Sequence, residues 1–96
     1  MSDSSEQRSS KRKFFTVTFE MAYAALEQEY LKCQNSVGIS TNISEGGIGF
    51  LTNQSLHQGT EIKLYNNRIA SIPKNAEVRW CVRISDSLFK VGACFN

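Results

Sequence analysis

Four of the eleven basic residues of this 96-residue chain, Arg8, Lys11, Arg12 and Lys13, fall within six positions of one another. A cluster of this kind is either a solvated tail or an anion site for phosphate, nucleic acid or a membrane headgroup. Arginine suits the second role, because its planar fork offers two parallel N–H donors to phosphate oxygens or to a flat base edge. A second polar constellation, Asn42-Ile43-Ser44-Glu45-Gly46-Gly47, begins with 29 residues between Arg12 and Asn42. Asn42 and Ser44 are two apart, so in a strand their side chains leave the same face, and each can both donate and accept hydrogen bonds. The adjacent glycines allow positive φ and a sharp turn. Catalysis has less support. Ser44 belongs to no G-x-S-x-G sequence and has no close base. His57 stands in a polar stretch without an acid or nucleophile beside it, which marks it as a surface residue. Cys33, Cys81 and Cys94 form no C-x-x-C pair, and with His57 they lack the close ligand pair that nucleates a metal site. The expectation is a binding protein with no catalytic residues, metal or cofactor.

The elements that must hold these groups fit in one domain, since a core of ordinary size uses most of a chain this short. Hydrophobic residues make up 41% and charged residues 21%, with one proline, a balance suited to a packed globular core. Net charge is only +2, so the basicity is local. No run of about 18 apolar residues occurs, and residues 1–13 lack the apolar middle of a secretion signal. A cytoplasmic protein with reduced thiols is expected.

Residues 1–13 are almost wholly polar and carry no periodicity, which predicts a flexible basic arm preceding a domain over 14–96. From there Phe15, Val17, Phe19 and Met21 alternate with polar residues, the pattern of a half-buried strand. Ala22 to Lys32 has good helix formers but neither N-cap nor glycine stop, and a hairpin is the favoured reading. A strand through Val37 and Ile39 enters the glycine turn, and one from Ile48 to Thr52 leaves it. Further strands are expected over Thr60–Tyr65, with Ile62 and Leu64 inward, and beyond the Asn66-Asn67 turn. There Ala76, Val78, Trp80, Val82 and Ile84 form one face, and Glu77, Arg79, Cys81 and Arg83 the other. A last strand carries Phe89, Val91, Ala93 and Phe95. The expected fold class is all-β, a small antiparallel barrel of about six to seven strands with little or no helix. Closure would protect the strand edges.

Taken together, Arg8-Ser-Ser-Lys-Arg12 and Asn42-Ile-Ser44-Glu-Gly-Gly47 resemble the PilZ domain signature, R-x-x-x-R followed by D/N-x-S-x-x-G. The resemblance continues through ISEGGIGFLTNQSLHQGTEIKL, AEVRWCVR and FKVGACF, and covers roughly residues 8–95. It implies a PilZ-like split barrel that binds the bacterial second messenger cyclic di-GMP and signals to a partner protein in pathways such as motility, exopolysaccharide production or virulence. It also implies a ligand-binding set of Arg8, Arg12, Asn42, Ser44 and Gly47. The arginines would grip phosphate and guanine edges, Asn42 and Ser44 a base edge, and Gly47 would keep a side chain out of the ligand's way. Two frames are possible at the N-terminus. One uses Arg8 and Arg12; the other aligns Arg12-Lys-Phe-Phe-Thr16 with an R-x-F-F-R sequence and leaves Thr16 at the second arginine.

Trp80 falls near a position where some PilZ domains offer an aromatic ring to guanine, which adds it to the candidate ligand set. Its place on the Val78 and Val82 face predicts core packing instead. Arg79 and Arg83 could add cationic surface to the pocket, but a solvated strand face is the expected outcome, and Phe14 and Phe15 are expected as a plug at the barrel entry. Two other functions remain open: a PilZ-fold module that binds protein rather than nucleotide, and a single-stranded nucleic-acid-binding barrel with a basic arm. The low net charge and the few aromatics alternating on exposed strand positions speak against the second.

Overall fold

The computed structural model describes residues 13–27 and 29–96. Seven strands run through them: β1 (Lys13–Phe14), β2 (Thr18–Glu27), β3 (Tyr30–Ile43), β4 (Gly47–Thr52), β5 (Glu61–Tyr65), β6 (Lys74–Ser85) and β7 (Leu88–Phe95). All neighbouring strands are antiparallel, in the order β1-β3-β2-β5-β6-β7-β4, and β4 pairs back onto β3. That last pairing closes strands β2 to β7 into a six-stranded barrel. No helix occurs among the described residues.

Alternation along the strands fills the barrel. Phe19 and Met21 of β2, Ile48 and Phe50 of β4, Ile62 and Leu64 of β5, Ala76 and Val78 of β6 and Val91 and Ala93 of β7 form one core cluster. Phe19 and Phe50 meet edge to face with centroids 5.2 Å apart, a favoured aromatic arrangement. The helix-compatible stretch Ala22 to Lys32 is a hairpin, in which Glu27 pairs with Tyr30 and the connection carries Glu29 at φ 74°. Tertiary pairing therefore overrides local helix propensity. Among the described residues the far end of this hairpin has no third strand, since β5 pairs β2 only at Glu20–Tyr23 and β4 pairs β3 only from Gly38 onward.

Several strand faces differ from the expected pattern. Phe14, expected as a plug, is 97% exposed. Phe15 is half-buried with the Arg68 guanidinium 5.7 Å above its ring. Val37 and Ile39 point outward, and the inward positions between and beyond them are Gly38 and Ser40. Trp80, Val82 and Ile84 are exposed too, although Ala76 and Val78 on the same strand are fully buried. The face switches because β6 contains a bulge: Val78 pairs with Ala93 and Trp80 with the adjacent Gly92, leaving Arg79 as an extra residue. Cys81, after the bulge, turns back to pack against the core.

Ser40 explains how the chain enters the barrel. β1 and β2 both pair with β3 but are separated by Phe15 to Val17, where the ladder is interrupted. The Ser40 hydroxyl, buried within the wall, donates to the Phe15 carbonyl and accepts from the Val17 N–H at 2.9 Å. One side chain thus satisfies two backbone groups that the interruption would otherwise orphan. Ser40→Ala leaves both without that partner, and should lower unfolding free energy by about 1–3 kcal/mol in urea melts. A loss below a few tenths of a kcal/mol would refute this role.

Candidate functional site

Two glycines in adjacent strands determine the outer face. Gly49 of β4 pairs with Gly92 of β7, and the flanking residues Ile48, Phe50, Val91 and Ala93 point into the core. Outward, therefore, neither strand presents a side chain at this level. Each glycine also faces a bulge in its other neighbour. In β3 the register passes from Ser40↔Phe50 to Asn42↔Gly49, leaving Thr41 as the extra residue. In β6 Arg79 is extra before the Trp80↔Gly92 pair. A bulge reverses the alternation after it. Ser40 and Val78 point in, yet Asn42 and Trp80, two residues later, lie outside.

The result is one row across five strands, Phe14-Asn42-Gly49-Gly92-Trp80, each residue paired with the next. Directly paired residues share a face. With strands about 4.8 Å apart, Asn42 and Trp80 stand about 14 Å apart at their Cα atoms. Their side chains lean over the glycines between them. A Cβ at Gly49 would lie 3.2 Å from both Asn42 amide atoms and 3.3 Å from Thr41 Oγ1. One at Gly92 would overlap the indole of Trp80 itself. The indole is 45% exposed, so one part rests on the backbone and the rest faces solvent. Trp80 is thus not the core residue that its alternation predicts.

Ser44 and Gly47 flank the turn beside this row. Ile43 packs against the core, and alternation about it places Asn42 and Ser44 on the same outer side. The Ser44 N–H donates to the Gly47 carbonyl at 2.9 Å, and the Phe95 N–H to the Gly46 carbonyl at 2.9 Å, which fastens the turn to the end of β7. Neither turn glycine has positive φ; among the described residues only Glu29 and Gly59 do. Gly47 is needed for a different reason. It pairs with Cys94, and a Cβ would overlap the carbonyl oxygen of Ala93. The close approach of β7, and not room for a ligand, accounts for this glycine within the chain itself.

The structure thus gathers Asn42, Ser44, Gly47 and Trp80 on one outer face. Arg8 and Arg12 lie outside the described residues. Lys13, the residue covalently joined to Arg12, pairs with Ile43, one position from Ser44. Sequence reasoning missed Phe14 as a member of the row and Thr41 beside it. Arg79 was expected on the face opposite Trp80; it is the extra residue of the bulge, and both side chains are exposed. A hydrogen bond to the Cys94 side chain raises the Arg79 pKa above the ordinary arginine value, with smaller contributions from the Cys94 and Glu77 charges. The available signal was a lone glycine inside each of two strand patterns, which marks a bulge or a close backbone approach. All three cysteines are free. Among the described residues no three potential metal ligands gather, and no helix is long and apolar enough to cross a membrane.

A closed six-stranded antiparallel barrel with a polar and aromatic outer row beside a glycine turn defines a class of small β-barrel module. The PilZ domain family model matches residues 6–96, and the chain belongs to that family, whose domains are cyclic di-GMP-binding receptor modules. No curated protein matches the chain.

The two glycine contacts should separate experimentally. Gly47→Ala drives a methyl into backbone, so it should destabilise the unliganded protein by about 1–3 kcal/mol in thermal or urea melts. Gly92→Ala meets a half-exposed side chain that can swing away, so its main effect should be a red shift of the emission of Trp80, the sole tryptophan. Equal stability losses in the two variants, with unchanged emission, would contradict this division.

Proposed function

We propose that the protein is a cyclic di-GMP receptor in which the outer row and the N-terminal arginines together hold the ligand, and no covalent chemistry takes place. The observation that carries this reading is the Asn42-Gly49-Gly92-Trp80 row, which combines amide hydrogen-bonding groups with a half-exposed indole laid over glycine backbone. Such a surface suits a planar guanine, whose edge takes hydrogen bonds and whose face stacks on an aromatic ring. Membership of the PilZ family supplies the identity of the ligand.

The phosphates require cations, and Arg8 and Arg12 are the candidates of the family signature. Covalent geometry supports Arg12. Lys13 is paired opposite Ile43, and successive Cα atoms are about 3.8 Å apart, so Arg12 is tethered beside the Ser44 turn. Arg8 is four residues further along and has a reach of about 14 Å from Arg12. In this reading ligand binding fixes the arm against the barrel and alters the surface shown to a partner protein, with ordering entropy lost only at that step. A second reading is favoured by one observation. Val37, Ile39, Val82 and Ile84 are exposed on outer strand positions, which suits a protein-docking face on a PilZ domain that binds no nucleotide.

Calorimetric titration with cyclic di-GMP discriminates between the two. The native chain should bind, with quenching of Trp80 fluorescence, and Arg12→Ala should weaken binding about tenfold or more, the loss of one charge-assisted contact. GMP and cyclic GMP serve as controls. Equal heats for native protein and variant would remove the arginine assignment. No heat and no thermal shift with the native chain would remove the receptor reading and leave the protein-docking one, since a ligand of the folded state stabilises it by mass action.

A further inference from the structure

Trp80 has a second side. Strand β5 pairs with β6 only as far as Glu61↔Glu77, extended by the Thr60 and Gly59 hydrogen bonds to Val78. Beyond Val78 that edge of β6 has no strand partner among the described residues, and residues 55–58 line the space beside it. The space between is a groove of about 670 Å³, with Cys81, Phe89 and the buried Leu56 on its apolar side and His57, Arg79 and Arg83 on its polar side. Trp80 lines it as well, so the indole is shared between this groove and the glycine row.

The two arginines repeat, within a strand, the four-residue spacing of the N-terminal pair. Both line the one groove, from either side of the bulge. Arg79 stands at the bulge beside Trp80, while Arg83, after the reversal, pairs with Phe89. Neither is committed to a buried partner. Arg79 contacts the Cys94 side chain and has Glu77 as its acidic neighbour. Arg83 donates to the Ser85 carbonyl and to Asp86 Oδ1 at 3.0 Å, with both partners of that ion pair largely exposed. An exposed pair of this kind contributes little and yields readily to a phosphate that accepts two parallel donors.

We propose that the ligand surface continues past Trp80 into this groove, where Arg79 and Arg83 hold a phosphodiester of a guanine dinucleotide whose base lies against the indole. The proposal rests on the receptor reading above. It differs in placing half of the cationic contacts on the barrel wall, independent of the N-terminal arm. The phosphate belongs either to the far half of one bound molecule or to a second molecule stacked on the first. The shared requirement is an anionic phosphate within reach of a stacked guanine.

The test is titration of the full chain with cyclic di-GMP, comparing native protein with Arg79→Ala, Arg79→Gln, Arg83→Ala and Arg12→Ala. Both arginines of the groove are exposed, so the unliganded variants should melt as the native protein does. Each Arg79 variant should weaken binding about tenfold and Arg83→Ala about threefold or more. Guanosine, which has no phosphate, should bind native protein and Arg79→Ala alike. A stoichiometry of one with these losses assigns the phosphate to the same molecule, and a stoichiometry of two assigns it to a second; either supports the groove. Native-like affinity of the Arg79 and Arg83 variants, alongside a weakened Arg12→Ala, would overturn this inference and leave the receptor reading intact. Absence of binding by the native chain would overturn both.

Discussion

The outer face depends on backbone lying bare at two neighbouring positions. Gly49 and Gly92 are paired with each other, and each faces a strand that carries one residue too many. A side chain at either position would occupy the space into which Asn42, Thr41 and Trp80 now fold. The glycines weaken their strands, since they contribute no packing and lose more entropy than other residues on folding. The cost is offset by the flanking inward residues, which are among the most buried in the protein. Stability and surface shape are thus supplied by alternate residues of the same strands.

The barrel itself was legible in the sequence because its interior obeys a period of two almost everywhere. Ile62 and Leu64, or Val91 and Ala93, identify their faces without ambiguity, and turn residues such as Asn66 separate one strand from the next. Strands β3 and β6 were legible only up to their bulges. A bulge is a property of pairing between strands, so the run from Ala76 to Ile84 looks like one continuous apolar face although its second half lies outside. Phe14 was misplaced for a related reason. Hydrophobicity favours burial, but two residues of β1 paired to the end of β3 extend past the interior of the barrel. The candidate site was visible chiefly as a resemblance. The residue types of Asn42 and Ser44 suggest hydrogen bonding, but only the bulge at Thr41 explains why Asn42 points away from the core.

Ser40 fixes the start of the described chain against the wall that carries the row. Its hydroxyl holds the kink from Phe15 to Val17 against the wall, while the residues on either side of the kink pair with the same strand. Lys13 and Phe14 are thereby held at the edge from which Asn42 and Ser44 emerge. A rigid platform loses little entropy when a ligand arrives, whereas ordering a polar arm costs free energy for each residue fixed. In the receptor reading, contacts split in this way would tie the residues preceding Lys13 to occupancy of the platform, which a fully preformed pocket would not do.

The same geometry bears on how the protein tolerates change. Inward positions of the strands form one close-packed cluster, so replacing Phe50 or Val78 changes volume where neighbours cannot adjust, and stability absorbs the effect. Outward positions of the row contact mainly solvent and backbone, and changing Trp80 or Arg79 leaves the core intact. Gly47 crosses this division, because it faces outward yet is held against β7 by the approach of the Ala93 carbonyl. A glycine in a binding signature can therefore be required by the fold before any ligand is present. For this barrel, a defect at Gly47 points first to misplacement of the Ser44 turn, and only through that to the ligand.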